Sequence, residues 1–462
     1  MELRELERDG PADPAAGGRR LAVAFTTLGC KVNQYDTAAM RSALGEECRV
    51  VPFGEEADVY VVNTCTVTDR ADAESRQLAR RARRLNPAAR VVMTGCFAQT
   101  SPERVASLPE VDYVIGVGRL ADVLRAIRGE ISAAQERVFV DNLRRAGSVS
   151  TFGADAFAGQ TRAFLKVQEG CDLFCTFCIV PFARGRSRSV EPRRVLAELH
   201  RLAARGFREV VLTGIHLGGY GRDLRPSMGL VDLVEMIAEV APVPRLRLSS
   251  IDPPEVTPRL LDLIARSDVL CPHLHMPVQS GADPVLRRMR RQYDTALVRD
   301  VLAEIQRVLR GAGLGTDVIA GFPGESEADF AAGVELLQDA PFTYFHVFPY
   351  SRRTGTTAAK AADAVPAATI AARARQLRRL GVAKRTAFAR RFVGRSLPVL
   401  VEATRDRQTG RLAGYSRNYV RVLLHGPESM INREVAVRVT GTRGDRALGT
   451  AAEADEQAAV VG

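Results

Sequence analysis

The sequence predicts an α/β protein in three parts: an N-terminal parallel α/β domain, a central (β/α)6 partial TIM-like barrel, and a small C-terminal all-β barrel. Three observations predict it. Short β-branched runs alternate with helical patterns over residues 21–145, and six further strand-helix units follow over 160–360. Beyond residue 392 helical spacing gives way to strands punctuated by turn residues.

Residues 1–20 are charged and rich in Pro, Gly and Ala, with no apolar core, so they read as a mobile leader and not a signal peptide. In the first domain (21–145), LAVAFTTLG (21–29) leads to Cys30, DVYVVNT (58–64) to Cys65 and RVVMTG (90–95) to Cys96. Helical spacing follows over 36–44, 69–85 and 102–108. Parallel sheets gather ligands at the carboxyl ends of their strands. Right-handed crossovers bring the three strand ends, and hence the three cysteines, to one edge. Cys48 has no such placement and reads as a packed core thiol.

A mixed Gly/Ala/Ser stretch (146–159) separates this domain from the second (160–380). Its strand candidates are AFLKVQ (163–168), EVVLTG (209–214), RLRLSS (245–250), CPHLHMPV (271–278), GTDVIAG (315–321) and YFHVFPY (344–350). Chemistry is expected in the loops after these strands. Six units instead of eight leave the side of the barrel open to a large substrate. A basic helical stretch (371–391) leads into the third part (392–450), where SLPVLVEATRD, LAGYSRNYVRVLLHG and NREVAVRVTG fit a Greek-key barrel of the oligonucleotide-binding type. Residues 451–462 read as a frayed tail.

Composition sets the class. With 46% hydrophobic and 26% charged residues the chain reads as soluble and globular. No apolar run approaches the 18 or more residues of a membrane helix. A cytoplasmic location follows as an expectation, and with it the reading of all eight cysteines as thiols, metal ligands before disulfides. Net charge is +11, and residues 384–446 hold fourteen Lys/Arg against five Asp/Glu. That local surplus points to a polyanionic partner, the bland alternative being solubility alone.

GCDLFCTFC places Cys171, Cys175 and Cys178 in the loop after the first barrel strand. Thiolates select zinc, copper(I) or iron–sulfur clusters. A structural zinc site closes with four ligands, and here no fourth cysteine lies nearby. Three thiolates on a four-iron cube leave one iron to bind a small molecule; a zinc knuckle with a distant fourth ligand is the alternative. The Cys-x3-Cys-x2-Cys spacing, with Phe177 before the third cysteine, resembles the radical S-adenosylmethionine superfamily. The resemblance implies a six-unit partial barrel and a cluster that cleaves S-adenosylmethionine to methionine and a 5′-deoxyadenosyl radical. It also implies cofactor contacts at Phe177, at Thr213–Gly214 and Ser249–Ser250 after the second and third strands, and at Gln279 in PVQSG (277–281). Read alone, Gly and Ser at strand ends are ordinary turn residues.

Cys30, Cys65 and Cys96, taken alone, fit an incomplete zinc site or three buried thiols. TLGCKVNQYDT, VVNTCTVTDRA and VMTGCFAQ, however, closely resemble the N-terminal domain of methylthiotransferases. That resemblance implies a second 4Fe-4S cluster whose open iron carries the sulfur to be transferred, and an RNA-binding module at the C-terminus. Implied with it are two uses of S-adenosylmethionine, as methyl donor and as radical source, besides a reducing electron donor and a sulfur donor.

GCKVNQYD and ARGRSRS (183–189) resemble the branch acting on N6-threonylcarbamoyladenosine of tRNA, at position 37 beside the anticodon. Isopentenyladenosine in tRNA and an aspartate of a ribosomal protein are the alternatives. A redox-sensing RNA-binding protein is the non-enzymatic one. Arg184, Arg186 and Arg188 follow the radical loop and are candidates to meet the threonyl carboxylate or a phosphate, against a reading as solvated loop charges. Arg417 and Tyr419 are candidate RNA contacts, as is Tyr415 for stacking or core packing. His216, His273, His275 and His346 lie in or beside barrel strands and receive no role.

Overall fold

The computed structural model describes residues 19–145 and 160–451, with Val149, Gly153, Ala154 and Phe157 between them. The leader to residue 18, most of the 146–159 stretch and the tail from residue 452 lie outside the described residues.

The N-terminal sheet is parallel throughout. Its strands are β1 (Leu21–Thr27), β2 (Cys48–Val51), β3 (Val59–Thr64), β4 (Arg90–Gly95), β5 (Tyr113–Ile115) and β6 (Val138–Phe139), in the order β2-β1-β3-β4-β5-β6. Every residue of β3 is buried. Val59 and Val61 enter one core with Val23 and Val92, whereas Tyr60 and Val62 enter the opposite core with Ala24 and Met93. Burial on both faces is why this strand reads as a continuous apolar run. Strands β2, β5 and β6 are two to four residues long, too short to leave a period in the sequence. Cys48 opens β2 as a buried core thiol, as expected. Helices α1 (Lys31–Leu44), α2 (Asp69–Leu85) and α3 (Cys96–Thr100) follow the first, third and fourth strands.

The second part supplies β7 (Arg162–Lys166), β8 (Gln168–Glu169), β9 (Arg188–Ser189), β10 (Glu209–Thr213), β11 (Arg245–Leu248), β12 (His273–His275), β13 (Gly313–Ala320) and β14 (Tyr344–Pro349). Strands β7-β10-β11 and β12-β13-β14 form two parallel sheets, joined by the bridges Leu246–Leu270 and Ser250–His275. The result is the six-stranded partial barrel expected, with β7 and β14 as its edges. The N-terminal domain spans the gap between them. On the β7 side Tyr35, Ala38 and Ala39 of α1 join the barrel core. On the β14 side Arg353 donates to Thr66 Oγ1 and Asp72, both at 2.6 Å.

A 24-residue helix (Ala367–Arg390) leads to a closed barrel of β15 (Ser396–Val401), β16 (Leu412–Ser416), β17 (Arg421–His425), β18 (Glu434–Arg443) and β19 (Arg446–Ala451), in the order β15-β16-β17-β19-β18. This is the five-stranded Greek-key form expected. It docks under the amino ends of the barrel strands. Arg162 pairs with Glu402 at 2.8 Å, and Arg245 with Glu434 at 3.1 Å. The fully buried Glu209 takes Arg245 and Arg247, both at 2.8 Å. The cysteine loops therefore occupy the opposite, open end.

Candidate active site

The three N-terminal thiols meet around Asn33. Its amide nitrogen donates to the carbonyls of Leu28 (2.8 Å) and Thr64 (2.9 Å), tying the loops after β1 and β3 together. Its Oδ1 lies 3.8 Å from Cys30 Sγ and 4.0 Å from Cys96 Sγ. Cys30 caps α1 and Cys96 opens α3, so both sit at helix amino ends. Gly29 (φ +96°) lets Cys65 in: a Cβ there would stand 2.8 Å from Cys65 Cβ and 2.9 Å from its Sγ.

The second triad is built locally. Strands β8 and β9 pair antiparallel and pinch off the loop carrying Cys171, Cys175 and Cys178. The Cys171 amide donates to the Gly185 carbonyl (3.1 Å), and the Cys178 amide to the Cys175 carbonyl (3.0 Å). Gly170 (φ +77°) precedes it with the Arg186 carbonyl against its α-carbon, leaving no room for a side chain.

All eight cysteines are free thiols. Burial pushes Cys65 and Cys178 up to about 12 and Cys171 to about 11. It also raises Cys96, against the opposing pull of Arg184. Such thiols ionise only against a compensating bound cation, so each triad suits three-thiolate ligation of an iron–sulfur cluster better than free nucleophilic chemistry.

The residues marked as cofactor contacts share the open edge of the barrel. Thr213 ends β10, and its carbonyl accepts from the Val167 amide at 2.9 Å. Beside Gly214, Gln168 Oε1 accepts from the His216 amide at 2.8 Å. The Ser249 hydroxyl is buried with no partner among the described residues. Ser250 bridges to His275, and Gln279 (φ +65°) is held by its amide to the Asp317 carbonyl at 2.9 Å. Phe177 packs edge-on to Phe322. Sequence reasoning missed Arg291, which donates to Cys175 Sγ at 3.3 Å and pairs with Asp252 at 2.7 Å. It also missed Glu255, 2.7 Å from His216. Asp252 and Glu255 stand in IDPPE, just past Ser249–Ser250, the only signal that marked them.

A cleft lies where the N-terminal domain meets the radical loop and the barrel, with Cys178 in its lining. Its walls are Val67 and Thr68 just past Cys65, Phe177 to Val180 on the radical loop, and Gln279, Asp317, Ile319 and Phe348 to Ser351 on the barrel. Val67 and Phe348 are exposed apolar side chains. On the barrel wall, Asp317 Oδ1 is 2.8 Å from His275 Nε2 and 3.1 Å from His346 Nδ1. Burial opposes ionisation of Asp317, but these two bonds outweigh it and hold the carboxyl below the usual range.

The loop arginines divide. Arg184 is fully buried: it donates to Asn33 Oδ1 (2.6 Å), Asp36 (2.8 Å), Cys96 Sγ (3.4 Å) and Glu169. It joins the N-terminal triad to the barrel and has no donor pointed at substrate. Arg188 is also buried, bonded to the Arg184 carbonyl at 2.8 Å. Arg186 alone of the three is well exposed. The expected RNA contacts Arg417 and Tyr419 likewise turn inward. Arg417 grips Glu434 at 2.9 Å and the Asp268 carbonyl, while Tyr419 stacks on Tyr415 (4.8 Å between ring centres) and His273 (4.4 Å). Both serve the joint between the two barrels, because the docked face of the C-terminal barrel is the one that carries them.

Residues 22–116 match the model of Uncharacterized protein family UPF0004, and residues 165–337 that of the Radical SAM superfamily. The chain is 40% identical to the threonylcarbamoyladenosine tRNA methylthiotransferase MtaB of Bacillus subtilis, over 90% of this chain and 93% of that one. It is 40% identical to the MtaB of Aquifex aeolicus over 82% and 93%. To the tRNA-2-methylthio-N(6)-dimethylallyladenosine synthase of Moorella thermoacetica it is 32% identical over 90% and 94%. Among solved structures, the radical S-adenosylmethionine methyltransferase TsrM of Kitasatospora setae shares the fold, with a TM-score of 0.53 at 18% identity over 73% of this chain and 77% of that one. Two thiol triads, a six-stranded partial barrel and these matches have one reading: the chain belongs to the radical S-adenosylmethionine methylthiotransferase family.

Proposed function

We propose that this protein adds a methylthio group to C2 of N6-threonylcarbamoyladenosine at position 37 of tRNA; its MtaB relatives are named threonylcarbamoyladenosine tRNA methylthiotransferases. The observation that carries the reading is that the chain holds two separate thiol triads, linked through Arg184, which closes the helix after the radical loop and donates to Cys96 Sγ. A single radical cluster needs one triad; moving sulfur onto a carbon needs a second sulfur-bearing centre within reach.

In this reading Cys171, Cys175 and Cys178 hold one 4Fe-4S cluster and Cys30, Cys65 and Cys96 a second. With S-adenosylmethionine bound, these groups supply homolysis of a sulfonium carbon–sulfur bond and a sulfur atom for transfer. The chain's own residues do the positioning. Phe177, Thr213, Gly214, Ser249, Ser250 and Gln279 line the cofactor's place, with Arg291 fixed between Cys175 and Asp252. Val67 and Phe348 flank the entrance with apolar surface suited to a base. Residues 21–145 carry the sulfur-donating half, 160–380 the radical half, and 392–450 with the basic helix take tRNA phosphates. No helix among the described residues is long and apolar enough to cross a membrane, and a cytoplasmic site, near the tRNA pool and reducing electron and sulfur donors, fits the chemistry.

Mass spectrometry of tRNA nucleosides from a deletion strain tests this. The expected result is loss of the 2-methylthio form with threonylcarbamoyladenosine accumulating in its place. Loss of the methylthio-isopentenyl nucleoside, or intact tRNA with an unmodified ribosomal-protein aspartate, would move the assignment to another branch. Formation of 5′-deoxyadenosine by the reduced protein separates an enzyme from a sensor.

A further inference from the structure

His275, Asp317 and His346 stand on β12, β13 and β14, three neighbouring strands of the barrel. The register pairs His275 with Gly315 and Asp317 with His346. Side chains two apart on a strand share a face, so Asp317 falls on the face of Gly315, beside both imidazoles. Gly315 leaves room for this, because a Cβ there would collide with the His275 ring and with Tyr344. One ligand atom from each of the three residues reaches a common point, all within 4.8 Å of one another. Asp317 Oδ1 is 2.8 Å from His275 Nε2 and 3.1 Å from His346 Nδ1. Adjacent ligands of an octahedral ion stand about 3 Å apart when the bonds are about 2.1 Å long, so this spacing suits a small cation. His275 turns its other nitrogen to the Tyr344 hydroxyl at 3.1 Å, the kind of bond that orients a metal-bound imidazole. Exposure rises across the set, from buried His275 through half-buried Asp317 to exposed His346. His346 also lines a cavity of about 390 Å³ between β14, the long helix and the C-terminal barrel, with Tyr344, Arg385, Tyr415 and Tyr419 among its walls.

We propose that His275 Nε2, Asp317 Oδ1 and His346 Nδ1 bind a divalent first-row transition-metal ion, a mononuclear centre separate from both cysteine triads. Two imidazoles and one carboxylate suit iron(II), manganese(II) or zinc(II), whereas thiolates favour the clusters. Binding replaces the two imidazole–carboxylate hydrogen bonds with metal bonds. Each ring gives a nitrogen lone pair, and its proton moves to the other ring nitrogen. For His275 that nitrogen is Nδ1, where the Tyr344 oxygen accepts. Three protein ligands leave further positions of the ion for oxygen donors, either water or a small anion, entering beside His346 from the cavity. The site stands whichever nucleoside the enzyme modifies.

The test is titration of manganese(II) into the cluster-loaded, unreduced protein, followed by electron paramagnetic resonance. Manganese(II) has little affinity for thiolates, and oxidised 4Fe-4S clusters are silent in this measurement. The wild type should bind one ion per chain saturably, with couplings to imidazole nitrogen in the pulsed spectrum. His346→Ala and Asp317→Asn should each weaken binding by about tenfold or more, the scale on which metal sites respond to lost support. His346→Asp supplies an oxygen ligand in place of the imidazole, so it should recover binding with one nitrogen coupling fewer. His346 is exposed, so its substitutions spare the barrel core; iron content and thermal denaturation check this for each variant. The site is overturned if the wild type shows no saturable binding, or if the bound ion carries no nitrogen coupling. Equal binding by the wild type and His346→Ala overturns it too, and the three side chains are then a hydrogen-bonded set without an ion.

Discussion

The two thiol triads are built in opposite ways. Cys171, Cys175 and Cys178 lie within eight residues, on a loop closed by its own two-stranded ribbon and by Gly170. Cys30, Cys65 and Cys96 come from the ends of three parallel strands and owe their meeting to sheet register. The first triad needs little beyond its own loop. The second is only as exact as the sheet, and so it is braced from within by Asn33 and from outside by Arg184. A local motif survives a poor scaffold; a distributed one has to be tied down.

The largest effect should come from separating the two triads. Cys178→Ala is expected to abolish 5′-deoxyadenosine formation and methylthiolation together. Cys65→Ala is expected to abolish methylthiolation while 5′-deoxyadenosine still accumulates on reduction. Chromatography of both products from one anaerobic reaction checks this. Loss of both activities in both variants would break the comparison, since the triads would then act as one unit.

The brace is the next test. Arg184 is buried with Asp36 and Glu169, and Lys166 pairs with the same two carboxylates at 2.8 Å each. Removing one partner of such a network leaves buried charge uncompensated, so Arg184→Ala should cost about 3–5 kcal/mol. Thermal denaturation would show it. Burial by itself would raise the Glu169 carboxyl, but Lys166 and Arg184 overcome that and hold it at about 2 against an ordinary 4.5. A depressed carboxyl stabilises the fold fully above the ordinary value and loses that contribution as pH falls from 4.5 toward 2. Wild-type stability should therefore decline across that acid window. Arg184→Ala, with less depression of Glu169, should show a shallower decline from a lower starting point.

The same contrast explains what was legible. The radical loop could be read directly, because its ligands are neighbours in sequence. The N-terminal triad became legible once each cysteine was seen to follow a strand, since parallel topology then supplied the convergence. Six barrel strands and the basic terminal barrel followed from periodicity and charge. Side-chain direction did not. Arg184, Arg186 and Arg188 look alike in ARGRSRS, and nothing local says that the first ends a short helix (Val180–Arg184) against α3 while the third lies in β9. Arg417 and Tyr419 carry the residue types of an RNA surface, yet the docking of one barrel on another decides which face they occupy. Arg291 was invisible because its partners, Cys175 and Asp252, are remote in sequence.

The smallest effect belongs to Arg186, two residues from the brace. Its side chain is 73% exposed and stands 3.7 Å from Asp172, itself half-exposed. An ion pair of that kind gains little over hydration and is screened by salt, so Arg186→Ala should change stability by less than about 0.5 kcal/mol. If the exposed guanidinium meets a tRNA phosphate, the substitution should also weaken RNA binding a few-fold and lower the salt dependence by roughly one phosphate contact. Binding titrations over a range of salt concentrations measure both. An Arg186→Ala loss of stability as large as that of Arg184→Ala would mean that the whole loop, and not one buried side chain, braces the N-terminal triad. The two arginines thus measure how far the support of the distributed triad extends into the loop that carries the local one.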